Sequence, residues 1–496
     1  MKKYFVLLIM ACAWASCNEF LVEDARASQT LDNFYKTEAD AQVAVNAIYA
    51  FLYPQYTGGY DDMPWAMLEM ITGRWKNVSQ WPETGYYYTL SNTAGSLYIR
   101  TYWSSCYQGI ECANLVLDKV PAIRFKEEKK KQSLLGEARF LRAYYYYLLA
   151  NIFGDVPLKL TSTTRPSDDG LRPKTAVKEI YKTAIVPDLI FASANLEYAT
   201  PAGHGRVSVG AAKTLLAKVY LSMAGHPLNE PGAMALARDR ALEVINSGSF
   251  SLFQTDDKLT WFDKLNNAAY DNLQEHIWDL NYSFPNSPSF ISCYFLPQKP
   301  IFNTPKKNQY GGFYPDSLFL DSFDSRDLRG RNNLGFFFNR FVAGKETHRF
   351  DWAVYKYFDK GVLETAPYGA KGIPLLRYAD LLLTYAEAQN ETDGAPNAAS
   401  YTAVNSIRSR AGLPSAEALS KDDFRQEVWK QRYWELCAES QGYFDIVRTQ
   451  KVFDAKRKTF VPIVGFQLPS GAVVKEGYLP FPIPQTEVQV NPLLGQ

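Results

Sequence analysis

The chain has 496 residues, 47% hydrophobic and 21% charged, with a formal net charge of +1. That balance supports a large buried core, and length alone suggests about two to four domains. Near-neutral charge, with one short basic run (KEEKKK, 126–131), argues against a nucleic-acid partner.

Lys2 and Lys3 precede an apolar run, Phe5 to Ala15, too short to span a bilayer. The run closes on AWASC, a lipoprotein-type box that makes residues 1–16 a signal peptide and Cys17 the lipidation site. Trp14 stands where an aliphatic residue is usual, and Cys12 is a rival with a shorter apolar run. The competing reading is an ordinary secretory signal with an incidental cysteine. Residues 17–36 read as an extended leader.

The spacing of Ala41, Val45, Ile48 and Leu52 predicts a helix over 37–53, with Thr37 as its N-cap. Residues 54–97 are irregular and aromatic. Helices are predicted over 98–119 and 127–153, the second ended by Gly154 and Pro157. Cys106 and Cys112 share the first of these, about 9 Å apart along its axis, too far for a disulfide. Further helices follow at 174–198, 207–225 and 231–248. The last two line up Ala212, Ala217, Ala224, Ala233, Ala237 and Ala241. Residues 249–373 are long, aromatic and poorly periodic. A second helix pair, 375–390 and 397–414, precedes a helix at 421–440, and 441–496 is irregular. Each pair fits a tetratricopeptide-like hairpin of about 34 residues. The fold class is therefore mainly α. Helical repeats (37–53, 98–248, 374–440) form a scaffold with a large irregular, aromatic-rich excursion, expected as one unit over 37–496.

Four consecutive tyrosines, Tyr144 to Tyr147, sit in the predicted helix 127–153. Their uncharged stretch, Ala143 to Gly154, falls short of the roughly 20 residues a membrane span needs. A helix apolar all round that does not span must be buried in protein.

Catalytic signatures are missing. The four histidines, His204, His226, His276 and His348, show no metal-ligand spacing, and no GxSxG or P-loop occurs. No metal or cofactor is expected. The segment GRWKNVSQWPETGYYYTL, 73–90, mixes Trp75, Trp81 and Tyr86 with Arg74 and Asn77. Sugar rings present apolar C–H faces and a hydroxyl rim, which flat aromatics and polar side chains cover in turn. DLNYSFPNSPSFISCYF, 279–295, is a second such segment. The alternative is that these aromatics anchor loops.

CNEFLVEDA, NFYKTEADAQVAVNAIYAFLY, GEARFLRAYYYYLLANIFGDVPL, AAKTLLAKVYLSMAG, IPLLRYADLLLTYAEAQN, VNSIRSRAGLP and YLPFPIPQTEVQVNP occur in this order. Together they resemble the SusD/RagB family of surface lipoproteins over nearly the whole chain. The resemblance implies a tetratricopeptide-like fold with the ligand site in its irregular half. It also implies lipid anchoring at the outer membrane, facing outward, over a SusC-like TonB-dependent transporter. Such proteins capture glycans, or peptides in some members, and are not enzymes. Their ligand residues come from the loop before a helix that here carries Trp103, Tyr107, Ile110 and Asn114. They come also from the irregular segment after the second repeat pair. In this chain those are Arg74, Trp75, Asn77, Trp81 and Tyr86, then Tyr282 and Tyr294. A surface glycosidase is the remote alternative.

Overall fold

The computed structural model describes residues 34–56, 63–77, 82–163, 171–197, 205–283, 285–295, 312–343, 345–358 and 368–495. Cys17, the signal peptide, most of the leader and Trp81 lie outside the described residues.

Helix α1 (Glu38–Ala50) starts on a capping box. Thr37 Oγ1 accepts from the Asp40 amide at 3.2 Å, and Asp40 accepts from the Thr37 amide at 2.8 Å. Short elements follow: α2 (Tyr53–Tyr56), α3 (Ala66–Met70), β1 (Trp75–Asn77) and α4 (Pro82–Tyr88). The long helices α5 (Leu97–Lys119) and α6 (Glu128–Phe153) pack along each other. After Val177–Ile180 and a π turn, Tyr181–Ile185, α7 (Val186–Asn195) also packs on α6. Helices α8 (Val209–Met223) and α9 (Ala233–Asn246) form a tight hairpin. Ala212, Ala217, Ala237 and Ala241 are fully buried, which lets the two backbones approach.

The excursion holds α10 (Trp261–Asn266), β2 (His276–Leu280), α11 (Ile291–Phe295), β3 (Phe313–Pro315) and α12 (Ser317–Ser322). It continues through β4 (Phe337–Ala343) and β5 (Glu346–Val354) to β6 (Ile373–Arg377). The scaffold resumes with α13 (Tyr378–Asp393), α14 (Ala398–Arg410) and α15 (Lys421–Glu435). Helix α16 (Gln441–Thr449), β7 (Lys451–Asp454), β8 (Thr459–Pro462) and α17 (Gln485–Val490) complete the chain. All the strands pair antiparallel in twos: β1 with β3, β2 with β6, β4 with β5, and β7 with β8.

The expected scaffold helices are present. The segments read as irregular are not structureless; they consist of helices and strands too short to show a period. The helix expected from residue 375 begins at Tyr378, because 373–377 pairs as β6 with β2. Among the described residues, no helix is long and apolar enough to cross a membrane.

All four tyrosines of α6 are buried, and each hydroxyl bonds in a different direction. Tyr144 meets the Tyr56 hydroxyl at 3.1 Å and Tyr145 donates to the Ile48 carbonyl at 2.7 Å. Tyr146 donates to the Lys159 carbonyl at 2.8 Å, and Tyr147 meets Ser222 Oγ at 3.0 Å. Gly109 of α5 makes room for this packing: a Cβ there would lie 2.3 Å from the Tyr145 ring. One apolar core runs from Ala41 to Leu494 and takes in both scaffold and excursion.

Buried ion pairs join the same two halves. Glu435 of α15 accepts from Arg377 of β6 at 2.8 Å, Arg410 of α14 at 2.8 Å and Arg329 of the excursion at 3.0 Å. Burial alone would push its carboxyl up. Arg410, Arg377 and Arg329 outweigh burial and hold it well below the ordinary range.

Candidate functional site

Strand β1 decides how the first aromatic segment is oriented. Side chains alternate across a strand. Trp75 points inward, fully buried, and its indole N–H donates to Glu69 at 2.7 Å. Phe295 of α11 packs behind it, 6.2 Å between ring centroids, and also against Trp65 and Phe313. Arg74 is buried too, 4.4 Å over the Tyr433 ring and 3.5 Å from Glu69. Gly442 admits it, since a Cβ there would lie 2.8 Å from the guanidinium. Burial raises the pKa of Glu69 despite Arg74 nearby. Tyr294 is likewise fully buried.

These positions correct the sequence reading. Arg74, Trp75 and Tyr294 are expected from the sequence to contact ligand, and the fold instead buries all three. The Glu69 carboxylate and the Tyr433 ring offset the cost of burying the indole N–H and the guanidinium.

The opposite side of β1 faces outward. Lys76 lies directly across from Tyr314 of β3. Two residues beyond Tyr314, on the same face, Asp316 pairs with Lys76 at 3.5 Å. Tyr88, at the end of α4, lies close by: burial raises its phenol pKa and the Asp316 charge adds to this. Lys76, Tyr88 and Tyr314 are all half-buried. Asn77 sits beside Gly85, 3.7 Å from where a Cβ would stand, and the neighbouring Tyr86 is 43% exposed. The Lys76 side of the β1–β3 pair thus brings together the Tyr88 and Tyr314 phenols, the Lys76 ammonium and the largely buried Asp316 carboxylate.

Tyr282 belongs to another patch. It packs edge-on to Tyr53 at 5.3 Å, and the Tyr53 hydroxyl donates to the Asn281 carbonyl at 2.6 Å. Phe290, eight residues on from Tyr282, packs against the distant Tyr368 at 5.1 Å. Of the expected site residues, Asn77 lies across from Phe313 on Trp75's side of β1, Tyr86 is exposed next to Gly85, which Asn77 adjoins, and Tyr282 packs on Tyr53. Lys76, Tyr88 and Tyr314, which the fold brings together on the β1–β3 face, are not among the residues the sequence singled out. A period-two reading of RWKN would have turned Trp75 in and Lys76 out. Nothing local signals Tyr314, because its partner strand is distant in the chain.

No histidine showed ligand spacing in the sequence, yet Asp271, His276 and Asp279 bring ligand-type atoms within 4.8 Å of one another. The Lys371 ammonium pairs with Asp271, and the Asn272 amide donates to Asp279 at 2.7 Å. The carboxylates therefore already have protein partners.

A SusD family profile matches residues 343–496, and one described as "Starch-binding associating with outer membrane" matches 20–221. A SusD superfamily protein of Parabacteroides distasonis is 33% identical, with a TM-score of 0.85 over 92% of this chain and 98% of its own. The chain belongs to the SusD family. SusD-like protein P25 of Formosa agariphila is 25% identical over 99% of this chain and 96% of its own length. Surface glycan-binding protein A of Bacteroides uniformis shares the fold at 20% identity, with a TM-score of 0.75 over 92% of this chain and 98% of its own. The helical hairpins are accordingly the tetratricopeptide-like scaffold of a SusD protein.

Proposed function

We propose that this SusD-family chain is a cell-surface carbohydrate-binding lipoprotein. It captures oligo- or polysaccharide on the β1–β3 face and passes it to a TonB-dependent outer-membrane transporter. Lipid on Cys17 holds it at the outer membrane, facing outward. More than one acyl chain makes such anchoring stable, and confinement to the membrane plane raises the effective concentration of the transporter.

The carrying observation is the outward Lys76–Tyr314 pair with Asp316 and Tyr88 around it. Phenol faces cover sugar C–H surfaces, and the ammonium and carboxylate bond the hydroxyls. Trp75, Phe295 and Phe313 pack behind the strand pair and hold its backbone in place, which limits the entropy lost on binding. The starch-binding description of the matching profile and the glycan-binding name of the B. uniformis protein support the ligand class.

Calorimetry against plant, host and microbial polysaccharides, with oligopeptides alongside, tests the reading. Saturable glycan binding, weakened in Tyr314→Ala and without release of reducing ends, is expected. Binding of peptides alone would move the protein to the peptide-capturing branch. Release of reducing ends would contradict a binding role.

A further inference from the structure

A groove of about 780 Å³ adjoins the β1–β3 face, between the first turn of α12 and the C-terminal segment 453–471. Small-molecule sites usually hold about 300–1,000 Å³. Phe453, Phe466 and Leu468 line its apolar part. Leu318 and Val464 also line it, 49% and 51% exposed, and offer accessible aliphatic surface. Asp316 belongs to both the groove and the β1–β3 face, so the two surfaces are continuous. Ser470 Oγ donates to the Tyr88 carbonyl at 2.6 Å and ties the groove wall to that face.

The charges in this groove are asymmetric. The turn of the β7–β8 hairpin carries Lys456, Arg457 and Lys458, all exposed, with the first two lining the groove. Its carboxylates are engaged. Asp454 accepts from the amides of Lys456 and Arg457, both at 3.0 Å, and lies 3.5 Å from the Arg457 guanidinium. Asp316 accepts from the Leu318 amide at 2.8 Å and pairs with Lys76 at 3.5 Å. Lys456 and Lys458 have no ion pair among the described residues. The charge left over at the groove is therefore positive.

We infer that this groove is a subsite for anionic sugar residues, rings bearing a carboxylate or a sulfate ester. It rests on the carbohydrate-binding reading and extends it. The aliphatic surface and Phe466 take the ring, and the hairpin ammonium groups take the anionic substituent through charge-assisted hydrogen bonds. A neutral sugar gains nothing from those ammonium groups.

The test is calorimetry of the purified protein with polygalacturonate, dextran sulfate and neutral dextran at low and high salt. The variants are Lys456→Gln/Lys458→Asn and Leu318→Glu. Asn suits the positive φ of Lys458 (56°), and Glu suits the first turn of a helix, so both variants should fold. At least one anionic polymer should bind more tightly than dextran and weaken with salt. The lysine variant should weaken that binding on the order of tenfold with dextran unchanged, and Leu318→Glu should weaken it as well by removing a ring contact and adding a repelling carboxylate. Polygalacturonate and dextran sulfate separate the carboxylate from the sulfate source. Glycan binding that ignores both salt and the variants overturns the subsite alone. Failure to bind any carbohydrate overturns the carbohydrate reading and the subsite with it.

Discussion

Two tyrosine runs of similar composition meet opposite fates in this molecule. Tyr144 to Tyr147 lie on a long helix packed on all sides, and every ring and hydroxyl is buried. Tyr86 to Tyr88 end a short helix at the edge of the scaffold. Tyr87 alone turns in, stacking on Tyr98 at 5.6 Å, while Tyr86 is exposed and Tyr88 half-buried. A tyrosine becomes core where neighbours occupy every direction around its helix. It becomes surface where the element is short and one side is open. The same contrast holds one residue apart on β1, between Trp75 and Lys76.

The contrast is best broken by substitutions that should act on stability in one run and on binding in the other. Tyr145→Ala should cost about 3–5 kcal/mol, as for other large buried aromatics, read from denaturant melts. Glycan affinity of the protein that remains folded should not change. Glu435→Gln should destabilise by roughly 3 kcal/mol, because it leaves buried arginines short of a partner. That same carboxyl sets an acid limit. Its folded pKa is depressed, as is that of Glu275, where Arg410 and then Arg377 outweigh burial. The unfolded value is about 4.3. Their stabilisation is thus complete above that pH and is lost as the pH falls through the folded values. Thermal midpoints should drop below about pH 4.3, and the drop should be shallower in Glu435→Gln.

Smaller effects belong to the outer surface. Tyr314→Ala should weaken glycan binding by about 1–2 kcal/mol, the scale of a lost stacking partner. Its melting curve should shift less than that of Tyr145→Ala. Tyr86→Ala should change stability by no more than about 0.5 kcal/mol, as exposed positions do. A large loss of stability there would erase the distinction between the runs.

The helical scaffold was legible because its signals are local. Apolar spacing placed α1, α5, α6, α8 and α9 within a few residues, and Thr37 caps α1 as its chemistry suggests. The candidate site was half legible. The segment that supplies β1 and Tyr88 of the proposed face, 73–90, stands out by its mix of aromatic and polar residues. Which of them face out is not legible there, because β1 spans only Trp75 to Asn77 and its orientation depends on distant β3. Burial of Arg74 depends likewise on Glu69, Tyr433 and Gly442, which only the folded chain assembles. Composition marks where a site lies; pairing across the fold decides which side chains it uses.

The most direct test is paired calorimetry of Tyr314→Ala and Trp75→Phe against a glycan that the wild-type protein binds. The expected result is roughly a five- to thirtyfold loss of affinity in Tyr314→Ala and unchanged affinity, with a lower melting temperature, in Trp75→Phe. Unchanged affinity in Tyr314→Ala together with lost affinity in a fully folded Trp75→Phe would contradict the assignment of Trp75 to the core and Tyr314 to the face.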